Sequence, residues 1–258
     1  MKILSKEQKE IETLEEWEAL FVGENPKKKI QWQDGRSAKT LAEFVLGSKR
    51  LENLLDDIFK KLPVTKPQGV AFKEAYPEFE VNFDQFRNGR EHDLGVFGQT
   101  KNGQSVFVGI EAKVNEEFGV LVKEAYDRGC NTTDRIKGIV KNIFDAQEVE
   151  KFLALRYQLL YGLAGTANHL TDVYDKPDVA LFLIIAFKTK VSAQNDNYQD
   201  YEEMIKALKN SNVPVTEHPA PNSVIKGENI YEIGLKNWGT VYSAYVEIDA
   251  ENITDNIE

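Results

Sequence analysis

Hydrophobic residues along the chain recur with a helical period, then a strand period, then a helical one again. Ile11, Leu14, Trp17, Leu20 and Phe21 lie on one side of a charged amphipathic helix predicted over residues 6–21. A polar stretch with Pro26 and Lys27 to Lys29 follows. Leu41, Phe44, Val45, Leu51, Leu55, Ile58, Phe59 and Leu62 then predict one long helix over 38–62, capped by Ser37 and ended by Pro63 and Pro67. Residues 77–83 alternate weakly. Residues 92–98 and 105–114 alternate clearly and flank Lys101-Asn102-Gly103, a hairpin signal. Helices are predicted over 132–144 and 146–163, the second capped by Asp145. Residues 179–187 are apolar throughout and suit a central strand covered on both faces. A helix at 201–209 and strands at 230–235 and 241–248 complete the pattern. The expected fold is one α/β domain over 1–258 with an α-β-β-β-α-β core (36–190) and a mixed central sheet between helices. Residues 1–35 form an N-terminal helical extension and 191–258 a C-terminal elaboration.

Of 258 residues 41% are hydrophobic, enough for a substantial core. The 42 acidic residues outnumber 32 basic ones, a net charge of −10 that argues against coating nucleic acid by bulk positive charge. It leaves open a local basic channel or a carboxylate site in which metal ions handle phosphate. Cys130 is the only cysteine, which excludes an intrachain disulfide and a thiolate zinc cluster and makes a reducing cytoplasm the expected location. The first ten residues are too charged for a signal peptide, and the 179–187 run has about half the length of a membrane span, so no membrane partner is expected.

The hairpin carries the chemistry. A two-residue Asn-Gly turn would set Leu94 opposite Glu111, a carboxylate among leucines. A three-residue loop with Gly103 in the left-handed region shifts the register by one. Leu94 then meets Ile110, Gly95 meets Gly109, Val96 meets Val108, Phe97 meets Phe107 and Asp93 meets Glu111. One face is apolar (Leu94, Val96, Val106, Val108, Ile110, Ala112, Val114), and the other carries Asp93, Glu111 and Lys113. Directly opposed side chains lie about 5 Å apart at Cβ, and two carboxylates so close need a proton or cation between them. Oxygen ligands at that spacing suit Mg²⁺ or Mn²⁺ with substrate phosphate oxygens. Lys113, on the same face, is placed to orient a water or offset phosphate charge. A surface ion-pair cluster of little energetic consequence is the alternative.

Asp93 followed by Glu111-Ala112-Lys113 on the next strand, within this element order, resembles the PD-(D/E)XK nuclease superfamily, which includes restriction endonucleases and RecB-type and Holliday-junction nucleases. The stretches Gly35 to Ala42 and Leu155 to Leu160, with its Arg156-Tyr157-Gln158, resemble an uncharacterised bacterial branch of it. The resemblance covers about residues 36–190. His92 stands where the superfamily usually has proline. The resemblance implies a restriction-endonuclease-like core and metal-dependent hydrolysis of phosphodiesters, chiefly in DNA. Asp93, Glu111 and the backbone carbonyl of Ala112 would hold Mg²⁺ (or Mn²⁺), Lys113 would position the water, and Gln158 would correspond to the helical glutamine of RecB-like nucleases. An acid from the first helix would join the metal site, with Glu52 preferred over Glu43. Many nucleases of this architecture work as dimers, so a homodimer is compatible.

Arg156 falls within the apolar stripe of the 146–163 helix and needs either a structural ion pair or a phosphate. His92 is expected on the opposite side of its strand from Asp93. His169 and His218 have no ligand spacing. Glu116 and Glu117 would end the strand, with one able to reach a second metal. Lys27 to Lys29, Lys49-Arg50 and Lys60-Lys61 would form solvated faces or a modest phosphate-contacting rim. No Walker loop, Rossmann fingerprint or serine elbow is present. Two rivals to the nuclease stand: a non-catalytic nucleic-acid- or protein-binding module of the same fold, and a hydrolase of small phosphorylated compounds.

Overall fold

In a computed structural model, residues 1–65, 69–169, 176–189, 197–221 and 229–253 are described. Lys2–Ile3 (β1) start the chain as a short strand, and Leu4 bridges to Glu10. The first helix, Leu14–Val22 (α1), therefore begins at Leu14 and not at residue 6. Thr13 Oγ1 accepts from the Glu16 N–H at 3.2 Å, and Glu16 accepts in return from the Thr13 N–H at 3.1 Å. The lysine run, read as a polar stretch, is helical: Pro26–Gln31 (α2) starts on proline, with Asn25 accepting from the Lys27 N–H.

The predicted 38–62 helix is two helices, Ser37–Leu46 (α3) and Arg50–Phe59 (α4), and Arg36, not Ser37, stands at the cap. Lys49 takes φ 58°, and that left-handed residue redirects the chain so that both apolar stripes meet the same sheet face. A 3-10 turn follows at Pro63–Thr65; Pro67, expected as a helix stop, lies outside the described residues.

Val70–Val81 (β2), Arg90–Thr100 (β3) and Ser105–Lys113 (β4) form an antiparallel meander. The β3–β4 register pairs Leu94 with Ile110, Gly95 with Gly109, Val96 with Val108 and Phe97 with Phe107, as the three-residue loop predicts. Gly103 has φ 85° and its N–H donates to Thr100 O at 2.9 Å. Helices Val122–Tyr126 (α5), Cys130–Phe144 (α6) and Tyr157–Ala167 (α7) lead to Val179–Lys188 (β5). The predicted 146–163 helix does not form as such. Asp145 ends α6 in the left-handed region, residues 150–152 make a 3-10 turn, and the backbone N–H groups of Val122 and Lys123 donate to Leu155 O and Leu153 O. That long-range pairing holds residues 153–155 in a turn and Arg156 extended until α7 starts at Tyr157.

Asn197–Asn210 (α8), Val215–Pro219 (β6), Asn229–Leu235 (β7) and Gly239–Asp249 (β8) complete the chain. Edge strand β6 is short, mostly unburied and lacks a clear alternation, so the sequence pattern gave no sign of it. Among the described residues eight strands join one sheet in the order β1-β2-β3-β4-β5-β8-β7-β6, with β5 parallel to both β4 and β8 and almost wholly buried. The C-terminal strands therefore extend the central sheet directly. One sheet face (Leu94, Val96, Val108, Ile110, Leu183) packs under α1, α3 and α4. The other (Ala180, Phe182, Ile184) packs under α6, α7 and α8. The result is a mixed eight-stranded sheet between two helical layers.

Candidate active site

Strict alternation carries Phe107, Gly109, Glu111 and Lys113 on β4 to the face covered by α7. A side chain at Gly109 would meet Thr166 Oγ1 at 2.6 Å, so this glycine admits the helix and not a substrate backbone. Gly95 is likewise filled by the Phe79 ring. Close approach of α7 brings Gln158, in its first turn, onto Glu111. Gln158 Nε2 donates to Glu111 Oε1, and Lys113 Nζ donates to the same oxygen at 2.6 Å. The carboxylate side chain is 1% exposed. Burial lowers the Lys113 pKa, with Asp93 and Glu116 opposing the shift.

Sequence reasoning missed the third partner. Arg90, at the start of β3, donates from Nη2 to Glu111 Oε2, and both side chains are buried. Burial pulls the Arg90 pKa down against the countering charge of Asp93. The Tyr161 ring lies 5.8 Å from its guanidinium carbon, and a side chain at Gly165 of α7 would meet Arg90 Cβ at 2.8 Å. Arg90 and His92 share a face by alternation; extending that count to Glu111 was blocked by an irregularity no local pattern announces.

That irregularity sits at Glu78 and Asp93. Pairing of β2 with β3 runs Pro77 with Leu94, then Phe79 with His92, and Glu78 between them has φ 49°. The break reverses the alternation of β3. His92, expected on the far side, lies against Gly109, Phe107 and Phe182, on the same face as Glu111. The expected pairing of Asp93 with Glu111 is absent because the β3–β4 ladder ends at Leu94 and Ile110. Asp93 Oδ2 instead accepts from the Ala112 N–H at 2.7 Å, replacing the missing ladder bond. Glu78, also missed, pairs with Lys28 of α2 at 2.6 Å. Burial, reinforced by Asp93 and Glu91 against the pull of Lys28, raises its pKa to about 7.

Other candidates stand elsewhere. Glu52 takes the Met1 ammonium at 2.5 Å and lines a cleft with Ile3, Val45 and Lys49, so α4 does not bring it to Glu111. Glu43 lies 4.0 Å from Lys39 on α3. Arg156 precedes α7 and is not mid-helix. Its Nε donates to Asp200 at 2.9 Å, and its Nη1 to Glu117 at 2.8 Å and to Gly119 O at 2.9 Å, tying the loop after β4 to α8. Glu116 accepts from the Asn115 N–H. His169 stacks on Phe107 at 4.4 Å, and His218 pairs with Glu232. Lys60 pairs with Asp57 and Lys28 with Glu78, while Lys27 and Lys29 beside it are exposed.

Among the described residues no three His, Cys, Asp or Glu side chains gather as metal ligands. The donor set of Asp93, Glu111 and the Ala112 carbonyl still fits a hard cation. A strand residue's N–H and C=O point to the same edge, so the Ala112 carbonyl lies on the side where Asp93 takes its N–H. Mg²⁺ is ordinarily held by one or two carboxylates, substrate phosphate and water rather than by a full protein cage. Neither the curated proteins nor the solved structures contain a match to the chain. The family described as Domain of unknown function (DUF6946) matches residues 10–237. Spanning most of its length, that match makes the chain a member of the DUF6946 family.

Proposed function

We propose that the protein is a metal-dependent phosphodiesterase of the PD-(D/E)XK type, acting on nucleic acid and chiefly DNA. The observation that carries this reading is the convergence of Glu111, Lys113 and Gln158, from β4 and α7, beside a β3 carboxylate anchored on the intervening Ala112 N–H. The element order of helices, three antiparallel strands, helices and a parallel strand supports it. Asp93, Glu111 and the Ala112 carbonyl would hold Mg²⁺ or Mn²⁺, which supplies a water of lowered pKa and charge for the leaving alkoxide. Lys113 orients the attacking water and steadies the phosphate. Gln158 fixes the Glu111 carboxylate. Arg156 acts at one remove, holding the loop after β4.

A second reading, a non-catalytic binding module of the same fold, is favoured by the Glu111 carboxylate being fully engaged by protein donors. Linear, circular and single-stranded DNA and RNA, incubated with Mg²⁺ or Mn²⁺, separate the two. Cleavage by the wild type that falls about a hundredfold or more in Lys113→Ala is expected. Equal cleavage by both rejects this site, and no cleavage of any polymer favours the module. Turnover of mononucleotides without polymer cleavage would indicate a hydrolase of small phosphorylated compounds.

A further inference from the structure

Arg90 has no part in the chemistry just described, yet its charge is buried within the site. Gly165 and the Tyr161 ring close over it, its Nη2 meets Glu111, and its Nε is buried with no hydrogen-bond partner. The four charges Asp93, Glu111, Arg90 and Lys113 sum to zero. A dication added at the Glu111 oxygens would place two extra positive charges beside two buried cations, in surroundings where charge is costly. Either a cation must leave Glu111 or an anion must arrive with the metal.

We propose that Arg90 is the exchangeable counter-ion of Glu111. It occupies the carboxylate until a divalent ion takes its place, and it then pairs with the phosphodiester anion that accompanies the ion. Metal and phosphodiester binding are thereby coupled, each tightening the other by the same factor. This rests on the reading of the site as a metal-dependent phosphodiesterase. The donor geometry agrees with it: a guanidinium is suited to carboxylate and phosphate alike, and the unmatched Nε–H becomes useful only when a second acceptor is present.

The test is Mn²⁺ binding to the full chain, followed by the electron paramagnetic resonance signal of the free ion. It is measured with and without a hydrolysis-resistant phosphorothioate oligodeoxynucleotide, after subtraction of Mn²⁺ held by the oligonucleotide alone. The oligonucleotide is expected to tighten Mn²⁺ binding to the wild type about tenfold or more. Arg90→Met alone is expected to bind Mn²⁺ about tenfold tighter than the wild type and to lose most of the oligonucleotide effect. A purely structural ion pair predicts the reverse, weaker binding in a loosened site. Mn²⁺ binding that is present but no tighter in Arg90→Met overturns the counter-ion role while leaving the metal site standing. Absence of Mn²⁺ binding to both proteins at millimolar ion overturns the metal reading and this proposal with it. Should Arg90→Met fail to fold, Arg90→Lys, which keeps the charge but not the fork, is expected to show a reduced oligonucleotide effect; an unchanged one overturns the proposal.

Discussion

Glu111 is where residue chemistry and stability meet. Its carboxylate neutralises two buried cations, so Glu111→Ala would strand Arg90 and Lys113 in the interior. Breaking a buried pair from one side costs about 3–5 kcal/mol, and urea denaturation should show a loss of that order. Arg90→Met combined with Glu111→Met removes that pair, though it still leaves Lys113 without its carboxylate, and should recover part of the loss; a double variant as unstable as the sum of the singles would contradict the pairing. Asp93→Ala is a contrasting case. Asp93 is partly exposed and its resolved bond is one hydrogen bond to the Ala112 N–H, so a loss of only about 1 kcal/mol is expected by the same measurement.

At the level of elements, α7 positions the site. A side chain at Gly162 would come within 2.5 Å of the Phe182 ring on β5, and Gly165 admits Arg90 in the same way. Gly162→Ala should therefore lift α7 from the sheet and cost about 1–3 kcal/mol, read as a lowered melting temperature. The same displacement should draw Gln158 from Glu111. If Gly162→Ala melts with the wild type, the helix is not seated as described. The helical stripe of residues 146–163 pointed to the right region but the wrong boundaries, because the backbone bonds from 122–123 to 153–155 override local preference.

At the scale of the whole molecule, two buried histidines make stability fall in mild acid. Burial lowers the His169 pKa from its ordinary 6.5 to about 4, and burial together with the Arg90 charge lowers that of His92 well below 6.5. The unfolded chain takes up these protons from about pH 6.5 downward while the folded chain does not. Their contribution is therefore complete above that pH and declines as pH falls toward 4, by about 1.4 kcal/mol per pH unit for each histidine. His169→Phe keeps the stack on Phe107 and should show a smaller drop in melting temperature between pH 7 and pH 5; an unchanged drop would remove His169 from the account. Among the described residues no helix is long and apolar enough to cross a membrane.

The residue pattern alone determined the β3–β4 register, the left-handed Gly103 and the shared face of Glu111 and Lys113, because alternation and turn geometry are local and a one-residue slip would bury the carboxylate among leucines. It also marked β5 as a central strand through its unbroken apolar run. Only the tertiary structure decided the break at Lys49, the reversal of β3 at Asp93, the distance of Glu52 from the site, and the meeting of Arg90 and Gln158 at Glu111. Those depend on which distant group satisfies a buried charge or an unpaired backbone N–H, and periodicity along the chain holds no record of that choice.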